Sequence, residues 1–133
     1  MPELILLIQA AATLALTGLI WFVQIVHYPL FDQVGQRGFI AYEQAHQRRT
    51  TLVVAPLMLV EAATAIALLW VRPSEVHGWT AVAGVMLVGL IWTSTYVWQV
   101  PAHARLTESF TRNAHRRLVL SNWVRTTSWT ARG

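Results

Sequence analysis

Leu4–Val26, LILLIQAAATLALTGLIWFVQIV, decides the fold. It holds no charged residue and no histidine. Roughly 20 apolar residues suffice for a helix to cross a ~30 Å hydrocarbon core, and this run is that long. Trp79–Val100 repeats the pattern, again with no charge, and Thr50–Val71 carries a single acid, Glu61. Three such runs predict an integral membrane protein, a single all-α domain over residues 1–133. Ionisable groups among the spans then become candidates for function, because a charge at that depth is costly unless it is used or paired.

Composition agrees. The chain is 55% hydrophobic and 12% charged, too apolar for a soluble fold of 133 residues. There is no cysteine, which excludes disulfides, thiolate metal sites, iron–sulfur clusters and thiol catalysis. The first apolar run is too long for a signal peptide and lacks a basic start, so it reads as a retained span. The net charge is +4, and every basic residue is arginine. A basic balance can mean nucleic acid, but these arginines sit in connections beside spans, so no nucleic-acid partner is expected. Arg37, Arg48 and Arg49 follow the first span, and Arg105, Arg112, Arg116 and Arg117 follow the third. The loop between the second and third spans has only Arg72. The bias places the two arginine-rich connections in the cytoplasm, with the N-terminus and Pro73–Gly78 outside.

Proline and glycine set the expected boundaries. Helix one runs from about Glu3 to Tyr28, before Pro29, and Asp32–Gly38 is a short turn. Helix two starts near Phe39, is kinked at Pro56 and ends at Arg72-Pro73. Helix three runs from about Gly78 to Gln99 and stops before Pro101, leaving Ala102–Arg112 as a polar connection. A fourth helix follows from about Ala114, short or truncated as a span. The expected architecture is a four-helix transmembrane bundle.

At about 100° per residue, each helix carries one polar stripe. Gln9, Thr13, Thr17, Gln24 and His27 share a face of the first, and Glu43, His46, Thr50, Glu61 and Thr64 a face of the second. Trp92, Thr95 and Gln99 align on the third, and His115, Asn122, Arg125, Trp129 and Arg132 on the fourth. Lipid-facing positions are apolar, so the stripes should converge inside the bundle. Short connections make the helices antiparallel, which gathers His27, Tyr28, Glu43, His46, Gln99, His103 and His115 at the cytoplasmic end. Glu61 lies mid-span, with Arg125 at a comparable depth as its expected partner.

Glu43-x-x-His46 puts a carboxylate and an imidazole one turn apart on one face, the spacing that bundle proteins use for metals. With His27 and His103 it would complete a first shell suited to iron, copper or zinc. A haem held between His27 and His103 is an alternative. Trp92 and Trp123, deeper than the other tryptophans, would line an aromatic pocket.

Val100–Leu106 reads VPAHARL, and Arg117–Thr126 reads RLVLSNWVRT. These segments, with His27-Tyr28-Pro29, resemble the anthrone oxygenase-like family of small bacterial membrane proteins. The match lies at Pro101, Leu106, Trp123, Arg125 and Thr126, while His103 stands where that family tends to carry an asparagine. The resemblance implies a four-helix bundle in the bacterial inner membrane, and oxidation of anthrones to anthraquinones as the activity of some relatives.

The expected function is an oxidoreductase acting on a quinol-like or polycyclic aromatic molecule in a pocket at the cytoplasmic mouth. His27, His103, Asn122 and Arg125 are its candidate catalytic residues. A histidine would take the phenolic proton and Arg125 would hold the oxyanion. His27, Glu43, His46 and His103 are the candidate metal ligands. Two rivals use the same features: a metal- or haem-binding redox protein, and a non-enzymatic accessory subunit whose stripes only pack. The expected partners are the lipid bilayer and a hydrophobic aromatic small molecule, with self-association into a homo-oligomer a further expectation.

Overall fold

Lipid offers no hydrogen bonds, so an apolar run that enters it must bond its own backbone, and a helix is the form that does so. The computed structural model, which describes Met1–Gly133, is helical almost throughout. Helix α1 spans Pro2–Phe22, with Pro2 in the first turn, where an N–H has no helical partner to lose. A π turn, Val23–His27, and a 3-10 turn, Pro29–Gln33, continue it. Gly35 then takes φ +79°, a conformation that side chains resist, and helix α2 begins at once, Gln36–Ala67. Helix α3 is Gly78–Ser94; a π turn, Thr95–Gln99, joins it to α4, Val100–Glu108. Helix α5 is Arg112–Arg132, and the Thr111 hydroxyl caps it by accepting from the Ala114 N–H at 3.2 Å.

The prolines do not end helices one and three, as the sequence led us to expect. A proline lacks an N–H, and its ring collides with the carbonyl four residues back. In both places a π turn precedes the proline and relieves the conflict by widening the helix; at the first, the Tyr28 N–H reaches back five residues to the Val23 carbonyl at 2.9 Å. Ala102–Glu108 is therefore helix rather than connection. Helix two keeps Pro56 in its interior, starts three residues earlier than expected and ends at Ala67.

Three continuous rods, Pro2–Gln33, Gln36–Ala67 and Gly78–Glu108, are long and apolar enough to cross a membrane. Helix α5 is the polar fourth member. It packs against α1, α3 and α4, while α2 packs against α1, α3 and α4, which closes the bundle. Leu16, Ile20, Phe31, Phe39, Ile91, Leu106, Leu118 and Trp129 fill the interior. Leu7, Leu14, Phe22, Leu52, Leu59 and Met86 point outward. An apolar exterior of this extent is that of a protein solvated by lipid.

Candidate functional site

The two π turns flank one region of the bundle. The first delivers His27 and Tyr28; the second delivers Gln99 and, a turn later, His103. Helix α2 supplies Glu43 and His46 from the adjacent wall, and α5 supplies Arg125 from the opposite one.

Glu43 is fully buried, and its Oε1 lies 2.5 Å from His103 Nδ1. The other ring nitrogen of His103, Nε2, lies 3.0 Å from the Tyr28 hydroxyl. With Nδ1–H donating to Glu43, Nε2 is the acceptor that meets the Tyr28 hydroxyl. The result is a carboxylate–imidazole–phenol chain. Gln47 fixes it from outside, donating to Glu43 Oε1 at 3.2 Å and to the His103 carbonyl at 3.4 Å. His115 Nε2 donates to the Tyr28 carbonyl at 2.7 Å, which fixes the backbone beneath the phenol.

His46 stands beside this chain, its ring 5.4 Å from that of His103. Its Nδ1 is 2.9 Å from His27 Nε2 and 3.1 Å from the Thr50 hydroxyl. Across the bundle, Arg125 is only 7% exposed and has no carboxylate partner. Its guanidinium lies 5.1 Å over the Trp129 ring, and its Nη1 donates to Asn122 Oδ1 at 3.4 Å. Asn122 in turn donates to Gln24 Oε1 at 3.0 Å, tying α5 to the first π turn.

A cavity of about 420 Å³ lies between these walls. Tyr28, His46, His103 and Arg125 line it, together with Trp92, Gln99, Thr50 and an apolar set that includes Leu19, Ile20, Val54 and Met58. The size suits a small organic molecule. The candidates read from the sequence thus fall into two layers. His46, His103 and Arg125 reach the cavity, while Glu43, His27 and Asn122 stand behind them as their hydrogen-bond partners. Tyr28 and Gln99 were grouped at this end by depth but not singled out as site residues. The only sequence signal for Tyr28 is its place between His27 and Pro29.

Three expectations change. Glu61 pairs with Arg132 at 3.2 Å, not with Arg125. The two arginines are seven residues apart, hence on one face, and depth chooses between them. Trp123 does not face the cavity; it is partly exposed and packs edge-on against Trp21, 5.7 Å between centroids. The end of the bundle is not an open mouth either. The buried ring of Phe31 lies within 6.5 Å of the rings of His27, Tyr28, His46, His103 and His115, and Phe39 and Phe110 pack edge-on beyond it.

For a metal, no three of the histidine, aspartate and glutamate side chains are grouped so as to hold an ion. Both His103 nitrogens face Glu43 and Tyr28, and His27 Nε2 faces His46 Nδ1. A haem between His27 and His103 does not fit, because the His46 ring packs against both, at 4.7 and 5.4 Å between centroids.

Compared with known proteins, the chain matches no family model, no curated protein and no solved structure.

Proposed function

We propose that this protein is a membrane-embedded oxidoreductase that binds a quinol-like or polycyclic aromatic molecule in the cavity between Tyr28, His103 and Arg125. One observation carries the reading: the hydrogen-bonded pair His103–Tyr28, backed by Glu43, and a buried guanidinium without a carboxylate line the same cavity. An acidic hydroxyl or an activated ring methylene set beside Tyr28 passes its proton through the Tyr28 hydroxyl to His103 Nε2, and the resulting imidazolium is stabilised by Glu43. The oxyanion that forms is held by Arg125. The electron-rich ring is then open to dioxygen. For an anthrone, the methylene gives up both hydrogens and gains one oxygen atom as carbonyl, and the second oxygen leaves with those hydrogens as water. The chain's residues supply the proton transfer and the charge stabilisation; dioxygen is the oxidant. The apolar walls and Trp92 suit the rings of such a molecule.

The arginine distribution supports an inner-membrane orientation with the N-terminus outside and the His27–Glu43–His103 end toward the cytoplasm.

The test incubates purified protein with anthrone and with a benzoquinol under oxygen, following the product by absorbance, with and without added iron, copper or haem. Turnover without additive is expected, and His103→Gln and Arg125→Met should each lower it by about 10²–10⁴-fold. Turnover that persists in both variants overturns the assignment. Turnover only after metal or haem is added moves the chemistry to a bound group, and no turnover under any condition leaves the non-enzymatic reading.

A further inference from the structure

The cavity is closed at the end of the bundle and open at its side. At the end, the fully buried Phe31 ring lies across the histidines and Phe39 backs it. At the side, the rim is formed by Leu59 of α2 and by Tyr96 and Val100, in and just after the second π turn. These three are 59%, 62% and 52% exposed, and all lie in rods apolar enough to cross the membrane. What they are exposed to is therefore acyl chain rather than water.

The interior has an unmet polar demand. Trp92 Nε1, Gln99 Oε1 and Arg125 Nε are buried without a hydrogen-bond partner, and all three residues line the cavity. Native interiors leave few such atoms orphaned, and three on one cavity call for a polar guest. Two are donors and one is an acceptor. A guest that satisfies them has oxygen acceptors and a hydroxyl on one compact head. Trp92 and Gln99 lie two turns apart on one wall, so the head spans roughly 10 Å at most along the bundle.

We infer that the cavity admits its ligand sideways from the bilayer, through the gap between α2 and the Thr95–Val100 segment, and that this ligand is a lipid-dissolved quinol or hydroxyquinone whose apolar tail stays in the portal. The inference rests on the proposed binding of a quinol-like ring in the cavity, and adds to it the route and the tail. A ring with a tail leaves its head among Trp92, Gln99 and Arg125, while the tail passes Leu59 and Val100 into lipid without burying a charge. A tail-free ring meets the same head contacts but gives up the apolar burial along the rim.

The experiment measures binding to the protein in lipid nanodiscs by quenching of tryptophan fluorescence. The probes are a decyl-substituted hydroxybenzoquinone and the same hydroxyquinone without its tail. The decyl probe should bind at least about tenfold more tightly after correction for its partition into lipid. Leu59→Trp, which fills the rim, should slow its association roughly tenfold, and Leu59→Ala should speed it. Leu59 carries no polar group and makes no hydrogen bond to the site, and the opposite signs of the two variants separate a portal from a misfolded protein. Association unchanged in both Leu59 variants but faster in Phe31→Ala would overturn lateral access in favour of the bundle end, with the quinone site intact. No quenching by either quinone in the unmodified protein would refute the quinone site, and this inference with it.

Discussion

The Glu61 cluster offers the sharpest test of the bundle itself. Glu61 is fully buried, and it accepts from the Thr13 hydroxyl at 3.0 Å, from Trp129 Nε1 at 3.1 and 3.0 Å to its two oxygens, and from Arg132 Nε at 3.2 Å. Arg132 also donates to the Gly84 carbonyl, so one carboxylate ties α1, α2, α3 and α5 together. At 3.2 Å, with an effective dielectric near 20, the ion pair alone amounts to ~5 kcal/mol of Coulomb attraction before desolvation is counted. Removing one partner of a buried pair costs about 3–5 kcal/mol, because the other is left charged and unmatched. Ordinary interhelical hydrogen bonds in membrane proteins contribute only about 0.6 kcal/mol each. The two accounts differ several-fold, which makes the choice measurable. Unfolding in mixed micelles by titration with sodium dodecyl sulfate gives the free energy. Glu61→Ala should lose about 3–5 kcal/mol. Glu61→Gln should lose about 1–3 kcal/mol, since it still accepts from Thr13 and Trp129. Glu61→Leu combined with Arg132→Met should lose less than either single change, since no charge then remains buried. A loss below ~1 kcal/mol for Glu61→Ala, or additive losses in the double variant, would refute the pairing and reduce the cluster to ordinary interhelical bonding.

The geometry sets three further outcomes. Gly35→Ala should destabilise by about 1–3 kcal/mol in the same titration, because a Cβ at φ +79° is strained; Gly38→Ala, with open space around its Cβ inside α2, should be neutral or stabilising by up to ~1 kcal/mol. Trp129→Phe keeps a ring under Arg125 but loses the indole N–H to Glu61, so it should lower stability while sparing quinone binding, whereas Trp129→Leu should lower both; equal quinone affinity in the two would show that the ring does not hold Arg125. With no cysteine to interfere, single cysteines at Gln33, Ser74 and Ser109 test the topology, and an impermeant maleimide on intact cells should label only the Ser74 position; labelling at Gln33 would invert the orientation.

The membrane fold was legible because lipid imposes one rule, the absence of charge over a sufficient length, and Leu4–Val26 and Trp79–Val100 obey it without exception. The convergence of His27, Glu43, His46 and His103 was legible for a related reason: polar faces avoid lipid, and antiparallel rods put their depths in register. What escaped was local. Pro29 and Pro101 read as stops because a regular α-helix cannot absorb them, and the π turns that do absorb them leave no composition signal. Each π turn takes in an extra residue and rotates the helix beyond it, so the faces of Tyr28 and His103 could not be counted at a steady angle. The choice of Arg132 over Arg125 for Glu61 depended on depth to within two turns, finer than loop lengths allow. The closed end came from Phe31, an apolar residue just before a segment read as turn, where nothing in its type marks it as a plug.

Helix α5 explains how a bundle of three apolar rods tolerates so much buried polarity. Its inward positions run Leu118, Asn122, Arg125, Trp129 and Arg132, at alternating spacings of four and three residues. Two of those five are arginines with different tasks. Arg132 is neutralised by Glu61 and closes a fully bonded cluster away from the cavity. Arg125 has no carboxylate: it meets the Asn122 amide oxygen, the Trp129 ring and the neighbouring Tyr28 hydroxyl, which offset its burial in part, and its Nε is left without a partner beside the cavity. Trp129 joins the two, its ring beneath one guanidinium and its N–H on the other's carboxylate. Arg132 thus ties the bundle together at Glu61, while Arg125 stands beside the cavity without a carboxylate.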